Sequence, residues 1–156
     1  MKLQDLKSDE ILITLKKNFD KIEEFVTQFD DSILFRTRIN GTWTVKQIIG
    51  HLYDTQEVWG ERIKQCCLSP GIVFDSYDPE KFVEERDYNN ANLKSVLELY
   101  RKSRTEMYGI FSKGNWDKKG FHLEDGTITI KDLAETIMAH ENHHIEQIED
   151  IKNNKW

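Results

Sequence analysis

Thr129-Ile130-Lys131-Asp132-Leu133-Ala134-Glu135-Thr136-Ile137-Met138-Ala139-His140-Glu141-Asn142-His143-His144-Ile145-Glu146-Gln147-Ile148-Glu149-Asp150-Ile151 decides how this chain folds. Thr129 and Asp132 have the spacing of a capping box, and Ile128 with Leu133 that of a hydrophobic staple, so a helix starts here. Its seam is Ile130, Leu133, Ile137, His140, His144, Gln147 and Ile151, in alternating steps of three and four. That is one face of a helix.

Three more segments read the same way. Leu12, Leu15, Phe19, Ile22, Val26 and Phe29 predict a helix from Ser8 to Asp30. A second starts at Thr44, boxed by Gln47 and stapled by Trp43 and Ile48. It runs through Val45, Ile49, Leu52, Trp59 and Ile63 to Cys67, where Ser69-Pro70-Gly71 stops it. Leu93, Leu97, Tyr100, Met107 and Phe111 place the next over Asn92 to Ser112, with Arg104 on its seam. The connection from Leu68 to Asn90 is long, and Asp78-Pro79 predicts a short helix over Pro79 to Arg86. Between Ser112 and Ile128, the runs Phe121-His122-Leu123 and Thr127-Ile128-Thr129 flank Asp125-Gly126, a hairpin signal.

The expectation is an all-α four-helix bundle, one domain over residues 1–156, with a small hairpin before the last helix. Composition agrees, since 8 Gly and 2 Pro in 156 residues are too few to punctuate a strand-rich fold. With 22 basic and 28 acidic residues the formal net charge is −6, which argues against nucleic acid as a partner. No apolar run reaches the roughly 20 residues of a membrane span. The start, MKLQDLKSDE, has no signal-peptide core, so membranes are not expected as partners and the cytoplasm is the expected location. The two cysteines, Cys66 and Cys67, are adjacent and read as reduced.

The histidines carry the chemistry. At about 100° per residue, His140 and His144 lie about 40° apart at the centre of the apolar stripe, whereas His143 points about 80° away. Two imidazoles aimed into a bundle interior need partners. A metal ion supplies one, because ring nitrogens at this spacing can converge on a divalent cation. A third ligand is needed. His51 is the foremost candidate, although it sits about 120° from the centre of its own stripe, at a flank. His122 competes from the hairpin end, near the expected mouth. The run His140-Glu141-Asn142-His143-His144 also satisfies the H-E-x-x-H pattern of zinc peptidases, with Glu141 as general base. The residues that pattern needs downstream are replaced by Gln147 and Asp150, and no strand-rich half precedes it, so a protease is disfavoured.

Trp43-Thr44-Val45, His51-Leu52-Tyr53-Asp54, Gly120-Phe121-His122, Gly126-Thr127-Ile128-Thr129 and His140 through Ile148 together resemble the DinB/YfiT-like superfamily, over nearly the whole chain. The resemblance implies an up-down-down-up bundle with a divalent metal, Zn, Ni or Fe and with Co also suited, held by His51, His140 and His144. It also implies a low-molecular-weight thiol, activated to attack an electrophilic small-molecule substrate, with metal-assisted hydrolysis as the alternative. A non-catalytic ligand- or metal-binding stress-response protein stands as a third reading, and pairing as a homodimer is a further implication. Glu141 stands where many members carry Asp and is a candidate catalytic carboxylate. Asp54, one turn beyond His51, is another, against a plain solvated surface role. Arg104 and His122 are candidates for holding the substrate or thiol, Arg104 against an ordinary ion-paired role.

Overall fold

The computed structural model describes residues 8–38, 43–69 and 71–155. The expected stop at Pro70 and most of the start examined for a signal peptide lie outside them. Helix α1 spans Ser8–Gln28, α2 Asp31–Leu34, α3 Val45–Leu68 and α4 Pro79–Arg86. After a 3-10 turn at Tyr88–Asn90 come α5, Leu93–Phe111, strands β1, Lys119–His122, and β2, Gly126–Thr129, and α6, Ile130–Lys152. Both capping boxes are formed: Thr44 accepts from Gln47 N, Thr129 accepts from Asp132 N, and both side chains reach back to the cap. Asp78 and Asn92 cap α4 and α5. α1 ends before Asp30, because that carboxylate accepts from Ile33 N at 3.3 Å and caps α2 instead.

Contacts between the long helices fix their directions. Asn18 pairs with Asn142 at 2.9 Å and Lys21 with Glu149 at 3.0 Å, so α1 and α6 run parallel. Arg104 donates to Leu15 O at 2.9 Å and Arg101 pairs with Glu23, so α5 opposes α1. Rings of Tyr53 and Tyr100 lie 6.1 Å apart and Lys64 meets Glu106 at 3.5 Å, so α3 and α5 are parallel. Ile48 and Leu52 share one core cluster with Ile148 and Ile151, while Ile63 and Cys66 share another with Ile130 and Leu133. α3 and α6 are therefore antiparallel. The bundle is up-down-down-up.

Parallel neighbours explain the long connection. α3 has 24 residues, about 36 Å at 1.5 Å per residue, and the chain must retrace that length before α5 begins. Residues 69–92 do so. Their first part adds a bridge, Val73 to Phe121, beside the antiparallel β1–β2 hairpin. Their last part presses Tyr88 on α3 so closely that a Cβ on Gly50 would lie 2.2 Å from its ring. From Ile48 to Gln56 every residue of α3 is buried. A helix covered on all sides has no single stripe, which is why the flank position of His51 is an interior one.

Candidate metal centre

His51 comes from the start of α3 and His140 and His144 from successive turns of α6. The antiparallel pairing sets the three at one level. His140 Nε2 and His51 Nε2 are 2.7 Å apart, and one ring nitrogen from each histidine lies within 4.8 Å of the others. Ring centroids are 4.5 to 4.9 Å apart. Nitrogens that share a tetrahedral ion at about 2.1 Å are about 3.4 Å apart, so the closest pair must open and the widest close, by side-chain shifts of about an ångström, to complete the set. Trp43, the staple residue before α3, packs its ring 4.8 Å from that of His51.

The protonation states suit ligation. Burial holds the His51 imidazolium down to about 4 and that of His140 to about 3, helped by the neighbouring histidines. His144 is lowered by burial too, against its bond to Gln147. Neutral imidazoles are the metal-binding form. Gln147 Oε1 lies 2.8 Å from His144 Nδ1. An amide oxygen only accepts, so Nδ1 carries the proton and Nε2 keeps its lone pair for the cluster. The Nδ1 atoms of His51 and His140 are buried with no hydrogen-bond partner among the described residues.

The other candidates lie elsewhere. Asp54 is not a solvated surface residue. It is 0% exposed, and its Oδ1 accepts from Arg86 at 2.7 Å and from the Tyr88 hydroxyl. Burial pushes its carboxyl up to about 6, against Tyr88 and Arg86. Glu141 makes no bond to the histidines among the described residues. Its Oε2 accepts from Arg104 and Tyr100 inside the bundle, and burial raises its pKa against the pull of Arg104. A carboxylate so engaged is not placed as the base of a peptidase motif. Arg104 is 2% exposed and also donates to Gln56 Oε1 at 3.0 Å, so the structure places it in an ion pair with Glu141. His122 ends β1 and faces the Asp125 carboxylate at 3.3 Å. The hairpin joins the start of α6, and His140 stands ten residues along, about 15 Å by helical rise. His122 is thus at the far end from the cluster, not at its mouth.

Three further residues gave little sign in the sequence of the places they take. Gln147 read as a seam residue, although its place three after His144 is within reach of that ring. Thr55 lies four after His51, on the same face of α3, and Tyr77 comes from a connection whose path no periodicity reveals.

Residues 14–148 match the family model described as the DinB superfamily. A relative from Oceanobacillus iheyensis, named "Putative metal-dependent hydrolase OB0413", is 23% identical over 131 residues, covering 83% of this chain and 76% of its own. From Bacillus subtilis, "Putative metal-dependent hydrolase YfiT" is 24% identical over 135 residues, covering 84% and 76%. The solved structure of that YfiT, described as having an unusual four-helix bundle topology, superposes with a TM-score of 0.85 at 20% identity, covering 96% of this chain and 90% of YfiT. A mycothiol-dependent maleylpyruvate isomerase superposes with a TM-score of 0.70 at 15% identity. It covers 97% of this chain but 63% of the isomerase, so less than two thirds of that enzyme has a counterpart here. Identities this low in structural matches speak for the fold.

Proposed function

The chain belongs to the DinB superfamily, and from that premise we propose that it is a metal-dependent enzyme for small molecules. In this reading His51, His140 and His144 hold a divalent ion of the Zn, Ni or Fe kind, and a low-molecular-weight thiol is the nucleophile toward an electrophilic substrate. The observation that carries it is the convergence of three neutral imidazoles from α3 and α6 on one point.

When bound, such an ion keeps its full double charge among neutral ligands and supplies Lewis acidity that lowers the pKa of a thiol brought to it. The protein's own residues prepare the place. Burial keeps all three rings unprotonated at neutral pH, Gln147 fixes the tautomer of His144, and Trp43 packs its ring against that of His51.

A thiol is preferred to water because no carboxylate joins the cluster among the described residues. The two buried carboxylates on the ligand-bearing turns, Asp54 and Glu141, each hold an arginine and a tyrosine through one oxygen, and neither is bonded to a histidine among the described residues. The ion acidifies whatever it binds, and a thiol, near 8.5 when free against 15.7 for water, starts the closer to its anion. The names of the curated relatives support the second reading, metal-assisted hydrolysis.

Elemental analysis of untagged protein tests the centre. We expect about one divalent ion per chain, lost in His51→Ala, His140→Ala and His144→Ala; unchanged occupancy in these variants refutes it. Conjugation of bromobimane with a panel of cellular thiols, run beside ester and amide hydrolysis assays, then separates the readings. Metal-dependent hydrolysis without conjugation assigns the second.

A further inference from the structure

The chain has 5 tyrosines, and four have bonded hydroxyls. Tyr53 donates to Glu57, Tyr88 to Asp54 and Tyr100 to Glu141, while Tyr108 accepts from Arg104. The fifth, Tyr77, has a buried hydroxyl with no partner among the described residues. Thr55 shows the same contrast. Thr27 and Thr136 settle their hydroxyls on the carbonyl four residues back, at 3.0 and 2.9 Å, as helical threonines commonly do. Thr55 is 4% exposed, yet its Oγ1 makes no such bond and has no other described partner.

The two residues are close enough for one to act on the other. Burial and the charge of Asp54 push the Tyr77 phenol up to about 12, and Thr55 is near enough to pull it back, but the pair does not close a hydrogen bond. Asp54 Oδ2 is a third buried oxygen with no described partner. Folded proteins seldom leave such groups unpaired, and three together call for an occupant. Tyr77 is carried here by the connection over α3, edge-on to Trp59 at 5.5 Å and Phe82 at 4.9 Å. With Val58 and Arg62 it also lines a neighbouring cavity of about 370 Å³, which Thr55, Asp54 and the histidines do not line.

The position ties the group to the cluster. Thr55 lies one turn beyond His51 on the same face, about 6 Å along the axis. Asp54 Oδ2, as a carboxylate oxygen, accepts, while the hydroxyls can donate or accept. The occupant must therefore bring a donor. We infer that Thr55 and Tyr77, with Asp54, form a subsite that reads a hydroxyl or amino group on the small molecule held at the three-histidine cluster. This rests on the reading of that cluster as the reaction centre. A two-carbon link between the atom that meets the ion and the donor group suits the spacing.

Cobalt-loaded protein and two matched probe pairs test this, with the cobalt absorption spectrum as the readout. The pairs are mercaptoethanol against ethanethiol and glycolohydroxamate against acetohydroxamate; within each, only a hydroxyl differs. The wild type should favour the hydroxyl-bearing member by about three- to tenfold, the worth of one hydrogen bond. Thr55→Val and Tyr77→Phe should each bring the ratio to about one, with metal content and ethanethiol affinity unchanged. No preference in either pair overturns the subsite, as does a preference that survives both substitutions. A fall in Tm in both variants with the preference intact would give the hydroxyls to a structural water and overturn it too. Hydroxamate preference without thiol binding keeps the subsite and removes the thiol. If neither head binds, the centre and the subsite fall together.

Discussion

Replacing Arg104 by methionine should be among the most destabilising single changes in this bundle. Arg104 and Glu141 are 2% and 1% exposed, and the guanidinium also serves Leu15 O and Gln56 Oε1. Its removal leaves a buried carboxylate with only neutral neighbours, Tyr100 and Asn18, a loss of about 3–5 kcal/mol. At roughly 2–4 °C per kcal/mol for a chain of this size, Tm should fall by about 6–20 °C. Taking the charge from both sides, Arg104→Met with Glu141→Met, should recover about 2 kcal/mol or more, because two apolar side chains need no counter-ion. Urea unfolding by circular dichroism of both single variants, the double and the wild type closes the cycle. The pH adds a sign. With the cation gone, the folded pKa of Glu141, already raised, rises further above its ordinary 4.5. The folded protein then holds a proton the unfolded chain has released, so the Arg104→Met deficit is largest at neutral pH and shrinks as pH falls toward 4.5. Metal content of the double variant should match the wild type, since Glu141 bonds to Arg104 and Tyr100 rather than to a histidine. Coupling below about 0.5 kcal/mol, or a deficit that does not change with pH, would refute this account of the pair.

Gln147→Leu, which removes the acceptor for His144 Nδ1, should weaken metal affinity about 10- to 100-fold with little change in Tm; competition against a chromophoric chelator measures it. Gly50→Ala should cost about 1–3 kcal/mol through overpacking on Tyr88, and an unchanged urea midpoint would contradict the close approach. Metal-free protein should lose stability in acid, because His51 and His140 stay neutral when folded down to about 4 and 3, while the unfolded chain binds those protons near 6.5. The loss of a few kcal/mol should begin as pH falls below 6.5, and His140→Ala should blunt it in chelator-treated samples.

Local signals were legible in the sequence: both capping boxes, the Asp78-Pro79 helix start and the hairpin turn fall where residue spacing places them. The His140 and His144 pair was legible too, because four residues on a helix is a local relation. What the sequence hides is contact between distant segments. Asp54 read as a surface carboxylate because nothing near it in the chain announces Arg86 and Tyr88, which reach it only after the connection has doubled back. Arg104 read as a seam arginine, but Glu141 is its partner only because α5 and α6 both face the interior. His51 seemed to sit at a flank because a stripe was assumed, while the covering of α3 by α4, α5 and α6 makes nearly every direction interior.

The antiparallel pairing of α3 with α6 has a topological consequence. His51 and His140 meet across 89 residues of chain, a loop that contains α4, α5 and the hairpin. An ion shared by α3 and α6 would close that loop as a covalent bridge does, and for a loop of about that length the chain-entropy model gives between 4 and 5 kcal/mol, at about 25 °C. The adjacent cysteines cannot form such a bridge across the bundle, so the histidines are placed to act as its staple as well as the reactive centre proposed for them.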